Sequence, residues 1–444
     1  MNDVMFGIGG DTAKTGARES HVSLRMGGEA TGEWRQHWSV VLASIFGIGL
    51  VTVYLYSTGM MIAPLEKEFG WKRAEIASGP TIVAVVGCLV APFMGMAIDR
   101  YGARRIAIFG VIALCGAIAM LSQAGPSIWS WWALWCLMAV THPFIKPTVW
   151  VAAVTSLFTT GRGMALAVAL CGTSVGTSLT PLLTHYLIQN YGWRGAYMGL
   201  GAIWLMVTLP LVLFGFYSIA DTRRRTRMRD PEQAKPPELP GLTKQEAMRS
   251  IKFAKIAGAT AAISAATTAL GMNLVPILSE AGIERGEAAA VAGVSGIAGI
   301  TGKLSGGYLI DRYNASRVVG IATACPAISA LLLLFLPGSI PAAIAAVAIV
   351  GLALGIEFDG VGYLASRHFG LKHFGLIYGT MVGLLALTSG VAPLLANYAF
   401  DVSGTYAALL WSIIPVAIIS AVLFATLGSY PDFAKPEGDG AQAA

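Results

Sequence analysis

The chain has 444 residues, of which 55% are hydrophobic and 12% are charged, and its formal net charge is +6. Soluble domains carry about 25% charged residues, so this composition excludes a soluble multidomain enzyme. Apolar runs of about 18 or more residues recur along most of the sequence, and each is long enough to cross a bilayer. The composition therefore predicts an all-α membrane protein with many transmembrane helices.

The chain begins with a polar segment, residues 1–37, which lacks the apolar core and cleavage site of a signal peptide. We expect this segment to be a loose cytoplasmic tail. A polar linker at 219–253 divides the rest into two six-span halves, 38–218 and 254–428, and a cytoplasmic tail follows at 429–444. The twelve predicted spans are 38–62, 77–98, 106–124, 129–154, 163–188, 195–218, 254–278, 287–310, 317–336, 340–364, 374–398 and 404–428.

Basic residues are unequally divided between the loops on the two sides of the predicted membrane. One side holds Arg100, Arg104, Arg105, Arg162, Arg312, Arg317, Arg367, Lys372 and the cluster Arg223–Arg229, and the other holds Lys67, Lys72, Arg73, Arg194 and Arg285. Cytoplasmic loops of membrane proteins carry the excess of Lys and Arg. We therefore expect an inner-membrane protein with both termini in the cytoplasm. Its basic central loop would face anionic membrane lipid rather than nucleic acid.

The loop after the second predicted span is repeated after the eighth. GMAIDRYGARR, 95–105, and GYLIDRYNASR, 307–317, align at a constant offset of 212 residues. The glycine allows close helix approach, the aspartate can accept hydrogen bonds from a neighbouring helix, and the arginines would lie at the inner lipid surface. We interpret the two loops as gate hinges. Their residues are Gly95, Asp99, Arg100, Gly102 and Arg104 in the first copy, and Asp311 and Arg312 in the second.

This duplicated loop resembles the signature loop of the major facilitator superfamily. The resemblance covers about residues 35–430 and implies twelve helices in two pseudo-symmetric six-helix bundles, with a substrate site between them. LFTTGRGMALAVALCGTSVG, 157–176, which contains Arg162, resembles the fifth-span signature of the branch of monocarboxylate-transporter-like and oxalate:formate-antiporter-like proteins. FGWKRAEIA, 69–77, also resembles bacterial members of this branch.

Lys303 is a charged residue inside a predicted span, where a charge is costly unless it is paired or faces water. It lies eight residues before Asp311, which is about 12 Å of helix. In the families that the chain resembles, a basic residue that follows a glycine in this span binds the substrate carboxylate, and Gly302-Lys303 matches that position. Lysine cannot make the bidentate contact of the usual arginine, and Gly299 stands where monocarboxylate transporters have an aspartate. The alternative is a lysine that extends to the membrane surface.

Lys146, Glu357 and Asp359 are the other charged residues inside predicted spans. Prolines flank Lys146 and loosen its helix, and His142 lies four residues earlier, so we expect both on one helical face. Our hypothesis is an inner gate in which Glu357 or Asp359 pairs with Lys146 across the halves, while the other acid turns to Arg367 or to span 11. Protonation of the acid would then open the gate. Alternatively, both acids only stabilise the inner loops.

Tyr54, Tyr56 and Tyr378 are polar aromatic side chains in spans 1 and 11. Together with His142 they could orient a bound acid in an apolar pocket, or they could be packing residues. We expect no cofactor, metal site, catalytic residue or ATPase subunit. The sequence thus predicts a secondary transporter of an organic anion, coupled to protons. Alternatives are a drug or cation exporter that uses the span-10 acids, a membrane sensor or scaffold that transports nothing, and a membrane enzyme.

Overall fold

The structure is a computed structural model that describes residues 11–158, 162–217, 241–370, 372 and 374–431. For 11–31, 88, 91–100, 152, 162–163, 311, 358–359 and 374–375 it describes the backbone only. Over this part of the chain the α-helices are α1 (Asp11–Phe69), α2 (Arg73–Tyr101), α3 (Ala103–Met120), α4 (Ile128–Thr141), α5 (Pro147–Leu157), α6 (Arg162–Leu170), α7 (Gly172–Gly215), α8 (Lys244–Arg249), α9 (Ile251–Glu280), α10 (Arg285–Arg312), α11 (Ala315–Phe335), α12 (Ile340–Phe369), α13 (Phe374–Ser403) and α14 (Ala407–Ala425).

These helices form the twelve membrane spans that the sequence predicts. Within the part of the chain that the structure describes, ten helical stretches are long and apolar enough to cross a membrane. One of them, Met164–Gly215, has 52 residues and bends at Gly192, whose φ of 68° is left-handed, so it contains two spans. The helix α2, with 29 residues, supplies the remaining span. The prediction of an all-α fold with six spans in each half is confirmed.

The N-terminal segment differs from the prediction of a loose tail through residue 37. The helix α1 begins at Asp11 and runs for 59 residues, well before the membrane span. Residues such as Ala, Arg, Glu, Leu and Met recur in this stretch and favour helix. Extending a helix that the membrane span has already nucleated is also much less costly than starting one. Most of the predicted linker and of the C-terminal tail lies outside the described residues.

The fourth span is interrupted at the sequence HPFIKP. The helix α4 ends at Thr141, a 3₁₀ turn follows at His142–Ile145, and α5 begins at Pro147. Lys146 has an extended backbone, with φ −52° and ψ 153°. A residue that precedes proline is pushed away from the helical region, and proline suits the first position of a helix. The two prolines therefore break the span, where the sequence predicted only a loosened helix.

The two halves pack against each other through three helix pairs, α1 with α9, α2 with α13 and α7 with α10. The core of the first half contains the fully buried Trp131, Trp135 and Trp150. The buried residues of the second half are mostly alanine, valine, leucine and isoleucine. We call the end of the bundle with loops 70–72, 124–127, 281–284, 336–339 and 404–406 the outer end, after the orientation that the basic residues predict.

The halves are held together at the outer end by contacts of Arg73, the first residue of α2. Its Nη1 donates to the hydroxyl of Tyr406 at 3.0 Å, and its guanidinium carbon lies 3.7 Å from the ring centroid of Phe400. The backbone N–H groups of Arg73 and Ala74 donate to the carboxylate of Asp401 at 3.1 and 2.8 Å. A carboxylate from one half therefore caps a helix of the other half, and the outer end is closed.

Candidate functional site

Lys303 lies between the two halves. Its side chain leaves α10 and is 7% exposed, and its Nζ donates to the carbonyl of Leu170 and to the hydroxyl of Thr173, each at 2.6 Å. Leu170 ends α6 and Thr173 lies in the first turn of α7, where the fifth span is interrupted at Cys171. The ammonium is thus buried against the opposite half, and it extends neither to lipid nor to the membrane surface.

Glu357 is a buried carboxylate inside the second half. It is 4% exposed, and its Oε1 accepts a hydrogen bond of 2.7 Å from the hydroxyl of Ser264 on α9. A cavity of about 20 Å³ beside it is also lined by Thr260 and Tyr378. The hydroxyl of Thr260 is buried and has no hydrogen-bond partner among the described residues. A cavity of this size and polarity is large enough for one water molecule.

Lys146 and Glu357 are not paired with each other in this structure. The Nζ of Lys146 donates to the carbonyl of Gly87 on α2 at 3.4 Å, in its own half. The ion pairs between described residues are Glu66–Arg73 and Glu68–Arg194, both at the outer end. The side chain of Asp359 lies outside the described residues. Arg367 is stacked on Tyr430, with its guanidinium carbon 5.0 Å from the ring centroid.

His142 is buried in the break of the fourth span, and its ring meets Tyr54 of α1 edge-on with centroids 5.1 Å apart. The expectation that His142 and Lys146 share one helical face is wrong, because the 3₁₀ turn and the extended Lys146 interrupt the α-helical spacing. Tyr56 lies against Gly271 of α9, across the interface between the halves. The predicted site residues therefore form separate groups around Lys303, Glu357 and His142.

The gate-loop residues are only partly described. The side chains of Asp99, Arg100, Arg162 and Asp311 and the surroundings of Gly95 lie outside the described residues. Gly102 precedes α3 with φ 83° and ψ 149°, a conformation that glycine adopts readily and other residues rarely do. Arg104 donates to the carbonyl of Leu213 at 2.5 Å, and Arg312 donates to the hydroxyl of Tyr308.

The sequence model of the Major Facilitator Superfamily matches residues 42–255 and 256–443, which is nearly the whole chain. The chain belongs to the Major Facilitator Superfamily. The match extends over both halves, in agreement with the repeated gate loop, and it identifies a membrane transporter rather than an enzyme.

Relatives within the superfamily include monocarboxylate transporters. The chain is 29% identical over 184 residues to monocarboxylate transporter 6 of Homo sapiens, covering 40% of this chain and 34% of that protein. It is 25% identical over 191 residues to the uncharacterized MFS-type transporter YcxA of Bacillus subtilis (strain 168), covering 41% of this chain and 44% of that protein. The matched stretches thus span less than half of each of these relatives. These similarities support the monocarboxylate-transporter-like branch.

A solved structure confirms the superfamily fold. It is a bacterial homologue of the human lysosomal transporter Spinster in an inward-facing and unoccupied conformation. The TM-score is 0.60 at 17% sequence identity, and the alignment covers 87% of this chain and 94% of that one. At this identity the likeness concerns the fold alone.

Several residues of this transporter that make cross-half or buried polar contacts were not predicted from its sequence. Arg73 lies in the stretch FGWKRAEIA, but nothing local indicates that it meets Tyr406, which is 333 residues away. Thr173 lies in the fifth-span signature, and its contact with Lys303 joins residues 130 apart. Thr260 and Ser264 could have been found from the sequence, because two hydroxyl side chains four residues apart lie on one face of a helix.

Proposed function

We propose that this chain is a secondary active transporter of an organic anion, which is a monocarboxylate, a small dicarboxylate or an aromatic acid. The anion moves together with protons across the cytoplasmic (inner) membrane, by symport. In this proposal the halves 38–218 and 254–428, joined by the linker 219–253, rock about a central site by alternating access. Both termini face the cytoplasm, as the distribution of basic residues predicts.

The observation that carries this proposal is the buried ammonium of Lys303 at the interface between the halves. A charge inside a membrane protein is costly and is typically retained for ion or substrate pathways. A cation between two bundles that move apart would attract an anion, and its contacts with Leu170 and Thr173 hold it there. The monocarboxylate transporters among the relatives support the same class of substrate.

Proton coupling is supported by the surroundings of Glu357. Its described hydrogen-bond partner is the neutral hydroxyl of Ser264, and it forms no ion pair with a described residue. A charged carboxylate is unfavourable in a buried site without a cation, so protonation removes the cost. In the opposite conformation, with the outer end open, we propose that Glu357 or Asp359 meets Lys146 and closes the inner gate. Arg367 would then pair with the other of the two acids.

Transport by purified full-length protein in proteoliposomes tests the proposal. Radiolabelled lactate, oxalate and benzoate serve as probes, with an inwardly directed proton gradient and with an uncoupler. At least one acid should accumulate, and the uncoupler should abolish accumulation. Lys303→Gln should abolish uptake, whereas the control Lys372→Gln, an exposed lysine of the same half, should not. Uptake of all three acids at the background rate of empty liposomes, or unchanged uptake by the Lys303 variant, would refute the proposal.

The same variant separates anion transport from the alternative, a drug or cation exporter that uses the acids of span 10. In that case Lys303→Gln would spare the efflux of a lipophilic cation such as ethidium, while Glu357→Gln would abolish it. Under the anion proposal neither variant affects ethidium, because the wild-type protein does not move it.

A further inference from the structure

The helices α10 and α12 touch each other through their backbones near Lys303. A methyl group on Gly302 would lie 2.3 Å from the carbonyl oxygen of Leu352. A methyl group on Gly355 would lie 2.5 Å from the carbonyl oxygen of Gly299 and 2.7 Å from the backbone nitrogen of Lys303. The two backbones meet directly at these described positions, because both contact residues are glycine.

The contact places the backbone of Lys303 directly on Gly355. On its other side α10 packs against α7, and the Lys303 side chain spans that gap to reach Leu170 and Thr173. The helix α10 is therefore held between α12 and the opposite half. The lateral position of α10 decides whether the ammonium reaches the fifth span at 2.6 Å.

We propose that Gly355 is a positioning residue for Lys303. It lets α10 approach α12 closely enough to place the Lys303 ammonium between the halves. The position of the ammonium follows from the helix contact alone, and only the consequence for transport rests on the function proposed above. Gly355 itself does not touch the substrate.

Gly355→Ala should displace α10 by several tenths of an ångström. The new methyl carbon would lie 2.5 Å from the Gly299 oxygen and 2.7 Å from the Lys303 nitrogen, and ordinary contacts begin near 3.4 Å, so the two backbones must separate by about 0.9 Å. Because α10 lies between α12 and α7, this displacement moves Lys303 toward Leu170 and Thr173, whose contacts with the ammonium at 2.6 Å are already at the short limit of an N–H···O hydrogen bond. The side chain must then reorient, and the ammonium loses at least one of its two acceptors.

The control is Gly258→Ala, on α9 of the same half, where no described atom lies within 4 Å of an added methyl group. Gly306→Ala should disturb the contact between α10 and α12 less than Gly355→Ala, because its methyl group would lie 3.0 Å from Ile356. If Gly355→Ala does not elute as a single species in size-exclusion chromatography, Gly306→Ala takes its place.

The experiment measures how fast Lys303 reacts with a small membrane-permeant acylating reagent, by mass spectrometry of the purified full-length protein. Loss of one hydrogen bond to a charged group should raise the Lys303 labelling rate by about tenfold in Gly355→Ala, and the control should match the wild type. For whichever probe acid is transported, KM should rise by about tenfold while kcat changes less than twofold.

Two outcomes separate this inference from the proposed function. If Lys303 is labelled equally fast in Gly355→Ala and in the wild type, the positioning role is refuted, whether or not any acid is transported. If labelling accelerates while Lys303→Gln still transports normally, the positioning role stands and the substrate role of Lys303 fails. A rise in KM for Gly258→Ala equal to that for Gly355→Ala would also refute the inference.

Discussion

The carboxylate of Asp401 holds the outer end closed by capping α2 from the opposite half. The first backbone N–H groups of a helix have no acceptor within the helix, and both oxygens of Asp401 accept from them, at 3.1 and 2.8 Å. Asp401→Ala should therefore favour conformations in which the outer end is open. Loss of a helix cap costs about 1 kcal/mol, so the open population should rise about fivefold.

A cysteine placed at Val275 reports this change. Val275 is 7% exposed and lines a cavity of about 270 Å³ between the halves at the outer end. The native chain has five cysteines, which are first replaced. The measured quantity is the rate at which a maleimide labels Val275→Cys in nanodiscs. Both membrane faces are accessible there, so the result does not depend on the predicted orientation.

The control is Glu75→Ala. The Glu75 carboxylate also accepts from a backbone N–H at the start of α2, that of Lys72 at 2.9 Å, but it belongs to the same half. Its loss should weaken the helix end without favouring separation of the halves. We expect labelling about fivefold faster in Asp401→Ala and unchanged labelling in Glu75→Ala. Equal rates in Asp401→Ala and in the parent would show that the cap does not hold the halves together.

Two further predictions concern coupling and the gate loop. Glu357→Gln keeps an oxygen that can accept from Ser264 but carries no transferable proton. Downhill flux of the transported acid should therefore persist, whereas a proton gradient should no longer accelerate it. Continued acceleration by the gradient would exclude Glu357 as the proton carrier. Gly102→Ala forces a side chain into φ 83° at a cost of about 1–3 kcal/mol, so the protein should melt at a lower temperature. The control Gly116→Ala, at an open helical position, should not lower the melting temperature. Equal melting temperatures for Gly102→Ala and the wild type would show that residue 102 does not require glycine.

The sequence was sufficient for the features that depend on local patterns. Apolar length predicted the spans, because crossing a bilayer requires a helix of minimum length whatever its neighbours are. The prolines at 143 and 147 predicted a loosened helix around Lys146, because their effect on the backbone is local, and the structure shows a complete break there. Because of this break, the expectation that His142 and Lys146 lie on one helical face is wrong, since it assumed an uninterrupted helix.

The contacts between the halves could not be predicted in this way. Asp401 is 328 residues from Arg73, and nothing around either residue specifies the other. Lys303 was singled out as a buried charge, but its partners depend on how closely α10 approaches α12 and α7. The sequence shows glycines at 299, 302, 306, 351 and 355, and only their arrangement in space shows that the two helices touch there.

Polar contacts join the halves at several levels in the outer-closed conformation. Asp401 and Arg73 join them at the outer end, and Lys303 joins them deeper in the membrane. The hydroxyls of Thr81 and Ser178 also donate across the interface, to the carbonyls of Gly390 and Gly293. Opening the outer end must break the contacts of Asp401 and Arg73 and strain those of Lys303. A ligand shifts such an equilibrium only by its difference in affinity for the two states. If Lys303 binds a carboxylate as proposed, the anion can replace the acceptors that Leu170 and Thr173 provide. The substrate would then lower the cost of separating α10 from α7, which couples anion binding to the movement of the halves.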